Sequence, residues 1–134
     1  MNSNATHSQA FGRDMSHLKS LLGHLKYRKD YPGNQRMGAF VVYKNTVIAK
    51  GMNQEKTHPL QKKFAVREEA EFIHAEVDAI SKAIKILNTE QLAKATIYIA
   101  RMKKDGTQGL AKPCQGCANL IKSLNIKRIV WTEG

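Results

Sequence analysis

From residue 72 onward the sequence alternates two hydrophobic periods, and that alternation restricts the chain to few folds. "FIHAEVDAI", 72 to 80, opens a helix over about 75–87 whose apolar stripe is Val77, Ile80, Ile84 and Leu87. "ATIYIA", 95 to 100, is β-branched and aromatic, which predicts a strand. "CQGCANLIKSL" returns to the helical period, with Cys117, Leu120, Ile121 and Leu124 on one face, and "IKRIVWT" is a last strand. Strands linked through helices pair in parallel by right-handed crossovers. Upstream, "MGAFVVYKNTVIAKGMN" reads as a hairpin, with strands at about 38–43 and 46–51 joined through Lys44-Asn45. Before it, Leu18, Leu21, Leu22 and Leu25 mark one face of an amphipathic helix that Tyr31-Pro32-Gly33 stops. The order α-β-β-α-β-α-β predicts a layered α/β domain with a mixed sheet.

A chain of 134 residues suffices for one domain with a real core and is too short for two. Residues 1–13 are polar and aperiodic and read as a disordered tail, leaving 14–134 as a single domain. The first residues lack an apolar signal-peptide stretch, and no run approaches the roughly 18 apolar residues of a membrane span. The expectation is a cytoplasmic protein without a membrane partner. Lys and Arg number 22 against 11 Asp and Glu, a formal net charge of +11. This balance favours an anionic partner, whether nucleotide, nucleic acid or phosphorylated metabolite. The positive residues are scattered, so a merely basic surface is the competing reading. Residues 53–71 form a long aperiodic segment, and loops of that length are often functional.

Polar groups of unusual type stand at both helix starts. His74 and Glu76 interrupt the apolar opening of one helix, and Cys114 and Cys117 lie on the first turn of the next. A disulfide at the Cys-x-x-Cys spacing would close a tiny loop and stabilise little, whereas such pairs in reducing surroundings bind metal or act in redox chemistry. In an open α/β sheet, ligands bind beyond the carboxyl ends of the strands, where helix N-termini converge. His74, Cys114 and Cys117 can therefore be aimed at one point. One imidazole and two thiolates suit zinc, and the positive end of a helix favours thiolates. Three protein ligands leave the fourth tetrahedral position open, which marks a catalytic zinc. A carboxylate at Glu76 can take a proton from water there and hand it to a leaving group. Taken singly, the histidine reads as a core residue, the cysteine pair as redox or chance, and the glutamate as surface. The combination His-x-Glu with Pro-Cys-x-x-Cys, one strand apart, is the signature of zinc nucleobase deaminases.

On "HAE" at 74–76, "PCQGC" at 113–117 and "GMN" at 51–53, the sequence resembles the cytidine deaminase-like superfamily, and within it the small phage-type deoxycytidylate (dCMP) deaminases. The resemblance covers about residues 15–132. It implies a three-layer α-β-α sandwich around a mixed sheet and one catalytic Zn2+ per chain. It implies hydrolytic deamination of dCMP: water attacks C4 of cytosine, Glu76 carries the proton to the ring nitrogen and then to the amine, and ammonia leaves. Asn53 would contact the substrate sugar or base, and the Ala75 backbone N–H would bind the pyrimidine carbonyl oxygen. Without the resemblance, Asn53 reads equally well as a turn residue. The basic segment from Arg101 to Lys112 is longer than is usual in such enzymes. It brings Arg101, Lys103, Lys104 and Lys112 toward the presumed pocket, either to grip a substrate phosphate or as a solvated loop. The sequence stops after "IVWTEG", short of the last strand or helix many relatives carry, so the fold is expected with a truncated C-terminus. The resemblance further implies a homo-oligomer and, if the gene is a phage's, location in the host cytoplasm.

Other functions compete. Deaminases that edit nucleic acid, acting on tRNA adenosine or on cytidine in single-stranded DNA or RNA, share these motifs and suit the +11 charge. Against them, position 116 is glycine, no basic C-terminal helix is seen, and Leu110, Ala111 and Lys112 precede Pro113. A non-catalytic zinc module that binds nucleic acid is a third reading. It would need a fourth protein ligand and no use for Glu76.

Overall fold

The structure is a computed structural model, and it describes residues 12–28, 36–54 and 74–134. In chain order the elements are α1 (Arg13–Lys26), β1 (Arg36–Tyr43), β2 (Thr46–Met52), α2 (Ala75–Ala83), α3 (Thr89–Leu92), β3 (Thr96–Met102), β4 (Gln108–Gly109), α4 (Gln115–Ser123) and β5 (Arg128–Trp131). The long segment after residue 54 and the Tyr31-Pro32-Gly33 stop lie outside the described residues. Helix α1 itself ends at Lys26 and starts at Arg13, the last residue of the expected tail.

Lys44 and Asn45 both take positive φ, 52° and 63°. That is the backbone of the tight hairpin turn whose twist matches its strands. β1 pairs antiparallel with β2 on one side and with β3 on the other. β3 runs parallel to β5, so the sheet is mixed, as the crossover pattern requires. The basic segment after β3 is not a plain loop: β4 folds back antiparallel on Arg101 and Met102. β4 and β5 thus share one edge of β3, β5 along Thr96–Ile99 and β4 along Arg101–Met102. A two-residue strand carries no hydrophobic period, which is why the sequence did not show it.

Two cores lie on the two faces of the sheet. On one, Leu18, Leu21 and Leu25 of α1 pack on Phe40, Tyr98, Ala100 and Val130. On the other, α2 and α4 bring Val77, Ala79, Ile80, Leu120 and Ile121 onto Ala39, Val41, Ile97 and Ile99. These are the three layers expected. The alternation of Ile97 and Ile99 with Tyr98 and Ala100 follows from the two-residue period of a strand buried on both faces.

The expected stripe of α2 needs one correction. Val77, Ile80 and Leu87 are buried, but Ile84 is 39% exposed. The helix stops at Ala83, and the turns that follow swing Ile84 out while returning Leu87 to the core. Asn88 then caps α3 with a reciprocal box: its side chain accepts from Gln91 N, and Gln91 Oε1 accepts from Asn88 N. No described helix is long and apolar enough to cross a membrane.

At the edge remote from the carboxyl end of β3, Asp14 is buried on the α1 side. It accepts from Tyr98 Oη at 2.5 Å and takes a two-armed grip from Arg128, at 3.2 and 2.8 Å. This ties α1 to β3 and β5 in one contact.

Candidate metal centre

The end of β2 lies against the first turn of α2. A Cβ on Gly51 would lie 2.3 Å from Ala75 O and 2.3 Å from Ala79 N, so only glycine lets strand and helix approach this closely. Asp78, on α2, fastens the strand end: its Oδ2 accepts from Met52 N and Gln54 Nε2, each at 3.0 Å, and from Lys82 Nζ at 3.3 Å. Asn53 sits between those anchored neighbours. Its Oδ1 accepts from Met37 N at 3.1 Å and from Arg28.

His74 is the N-cap of α2, with extended backbone at φ −76° and ψ 151°. Cys114 is the N-cap of α4, and its sulfur accepts from Cys117 N at 3.5 Å. The approach to Cys114 is sewn down by Thr132, the residue after β5: Ala111 N donates to Thr132 O at 2.9 Å, and Thr132 Oγ1 donates to Gly109 O at 2.6 Å. The parallel β3–β5 pair therefore sets where α4 begins.

The three ligand groups meet. His74 Nδ1 lies 3.3 Å from Cys117 Sγ and 3.5 Å from Cys114 Sγ, and all three atoms fall within 4.8 Å of one another. Zinc bonded at about 2.0–2.1 Å to nitrogen and about 2.3 Å to sulfur, at tetrahedral angles, needs an N···S edge of about 3.5 Å. The triangle fits that ion. Both cysteines are free thiols. A hydrogen bond from the Cys117 thiol, and then others from His74 and the backbone of Cys117, pull Cys114 down to about 4 against the cost of its partial burial. The same bond, reinforced by burial and by Glu76, holds Cys117 up as the protonated partner.

Glu76 is 3% exposed, and its carboxyl touches the Cys117 thiol and feels the charge of His74. Burial dominates and raises its pKa above the ordinary carboxylate value. Ala75, between the two, is fully buried. Its N–H stands at the first helical position, where no acceptor exists within the helix.

The four basic candidates are placed unequally. Arg101 is the last residue but one of β3, opposite Met37, on the face that carries α2 and α4. Its stem and that of Lys103 cross over Gly109, whose missing side chain makes the room. Its Nε is buried without a hydrogen-bond partner among the described residues. Lys103 and Lys104 are exposed at the β3–β4 turn, and Lys112 is exposed two residues before Cys114. The sequence missed two further arginines. Arg28 reaches Asn53, and Arg36 bridges Lys26 O at 3.5 Å and Lys103 O at 2.5 Å. The partner of Arg28 is 25 positions away and those of Arg36 are 10 and 67 away, and no local pattern announces such contacts.

The family model described as the cytidine and deoxycytidylate deaminase zinc-binding region matches residues 13–133. The chain belongs to that family. The matched region holds the whole triangle, and its three residues are positioned to hold a metal ion. Among solved structures, the dCMP deaminase of cyanophage S-TIM5 in its apo form is 18% identical, over 87% of this chain and 79% of that one, with TM-score 0.59. The same cyanophage enzyme in complex with dCMP and dUMP aligns over 87% and 78% at TM-score 0.57, again 18% identical. These likenesses support the fold. Guanine deaminase of Bacillus subtilis is 27% identical over 72% of this chain, with TM-score 0.48, and this chain spans 49% of its length. No curated protein matches.

Proposed function

We propose that this chain is a zinc-dependent hydrolytic deaminase of a cytosine nucleotide, converting dCMP and water to dUMP and ammonia. The observation that carries the reading is a buried carboxyl, Glu76, set against a His-Cys-Cys triangle of zinc dimensions. Zinc bound there leaves one position for water and lowers that water's pKa to about 7.

The residues divide the remaining work. Glu76 takes one proton of the attacking water and delivers it to the ring nitrogen; it then takes the hydroxyl proton now on C4 and passes it to the amine, so that the C4–N bond breaks, ammonia leaves and a C4 carbonyl remains. Burial suits it to this, since it raises the carboxyl above the ordinary carboxylate value and so makes it a better proton acceptor. The Ala75 N–H donates to the pyrimidine carbonyl, whose oxygen gains charge as C4 becomes tetrahedral. Asn53 orients the sugar or base. Arg101 and Lys103, side by side over Gly109, meet the phosphate, with Lys104 and Lys112 farther out. The relative that binds dCMP and dUMP supports a mononucleotide of this kind.

A second reading, deamination within a nucleic acid, is favoured by the +11 charge. One experiment separates the two. Zinc-loaded protein is incubated with cytosine, deoxycytidine, dCMP, dCTP, single-stranded DNA and tRNA, and ammonia release is measured. Turnover of dCMP is expected. Turnover of polymer alone would replace the first reading with the second, and silence on every substrate would remove both.

A further inference from the structure

We infer that Arg28 is the positioning residue that fixes the side-chain amide of Asn53; its bearing on catalysis rests on the proposed reading of Asn53 as a substrate contact. Helix α1 ends at Lys26, and Arg28 N donates back to Leu25 O at 3.1 Å, so the chain turns there. The turn aims the Arg28 guanidinium at Asn53. One arm donates to Asn53 Oδ1 and the other to the Asn53 backbone O at 2.5 Å. A planar fork thus holds the side chain and main chain of one residue together, which a lysine has no geometry to do.

The amide's orientation follows from donor and acceptor chemistry. Met37 N also points at Oδ1, at 3.1 Å. Both groups facing that atom are donors, so it must be the carbonyl oxygen, and Nδ2 faces the other way. The backbone on either side is held separately, by Asp78 on Met52 and Gln54 and by the Asn53 N to Met37 O bond at 3.3 Å. Without Arg28 the strand end stays in place while the amide loses its charge-assisted bond, a stronger clamp than the one from Met37 N. The first helix, on the opposite face of the sheet from the metal centre, is thereby wired to the substrate side of the site.

The test is a double-mutant cycle on the zinc-loaded protein: wild type, Arg28→Ala, Asn53→Ala and the double variant. For each, kcat and KM for dCMP are measured with zinc content and melting temperature. Arg28→Ala is expected to lower kcat/KM about tenfold, the loss of one charge-assisted hydrogen bond, with zinc content unchanged. The double variant is expected to be no worse than Asn53→Ala. Losses that multiply, or no loss in Arg28→Ala, would overturn the inference. A readout free of substrate runs beside it: the 15N–1H pair of the Asn53 side-chain amide, assigned by its disappearance in Asn53→Ala. That pair should move in Arg28→Ala, and an unmoved pair overturns the inference whatever the activities. Should Asn53→Ala keep full activity, or dCMP prove not to be the substrate, the functional reading of Asn53 falls and the amide pair alone decides. Arg28→Gln, which keeps a shorter planar donor, carries the same measurements if Arg28→Ala melts early.

Discussion

His74 and Glu76 are two positions apart, which in a regular helix would aim them apart by most of a half-turn. They face one cluster because His74 is an extended N-cap while Glu76 already lies in the first helical turn. Glu76 can therefore be neutralised without removing a ligand. Glu76→Gln should retain stoichiometric zinc by metal analysis and lose roughly 10²–10⁴-fold in kcat, the usual share of a general acid–base group. Unchanged turnover would remove Glu76 from the reaction. The residues of this centre were legible because their chemistry is local: His-x-Glu and Cys-x-x-Cys are short spacings at helix starts. Arg28 and Arg36 were not, because long side chains choose partners by space, not by sequence distance.

The joints between elements fall into two kinds. At the β2–α2 joint, Gly51→Ala would drive a methyl into the helix backbone, since both close atoms, Ala75 O and Ala79 N, are main-chain. Neither can rotate aside. The variant should lose at least about 2 kcal/mol by urea unfolding, and weaker zinc binding should accompany it as α2 shifts. The α1–β3–β5 joint is polar. Burial, and then the bond to Asp14, raise the Tyr98 phenol above its ordinary value. Above about pH 10 the unfolded chain sheds this proton while the folded state keeps it. Tyr98 thus contributes stability that is complete below that pH and is lost as pH rises toward the folded value. Urea midpoints at pH 9 and pH 11 should fall less in Tyr98→Phe than in wild type, and an equal fall would sink the assignment. Period-based reading found α1, β1, β2, α2, β3, α4 and β5, because each carries a stripe or alternation. It missed β4 and α3, which are too short to repeat a period, and it carried Ile84 into a helix that had already ended.

For the molecule as a whole, the metal centre joins the starts of α2 and α4, which reach it from opposite ends of the crossover that contains β3. Zinc that binds only the folded arrangement should stabilise it by mass action, by about 4 kcal/mol at a thousandfold excess over Kd. Melting curves with zinc and with a chelator should differ accordingly; coincident curves would show that the triangle does not take the ion. The layered plan was readable at this scale because hairpin and crossover patterns leave few topologies. The sharing of one β3 edge by two strands was not, because Gly109 and Thr132 are held there by hydrogen bonds between positions 23 and 31 apart in the sequence. That shared edge has a consequence in time. β3 is bonded to β1, β4 and β5, so exposing its amides to solvent means parting three ladders together. The N–H groups of Ile97 and Ile99 should exchange with deuterium only when the entire domain opens, while those at the Lys44-Asn45 tip exchange within moments.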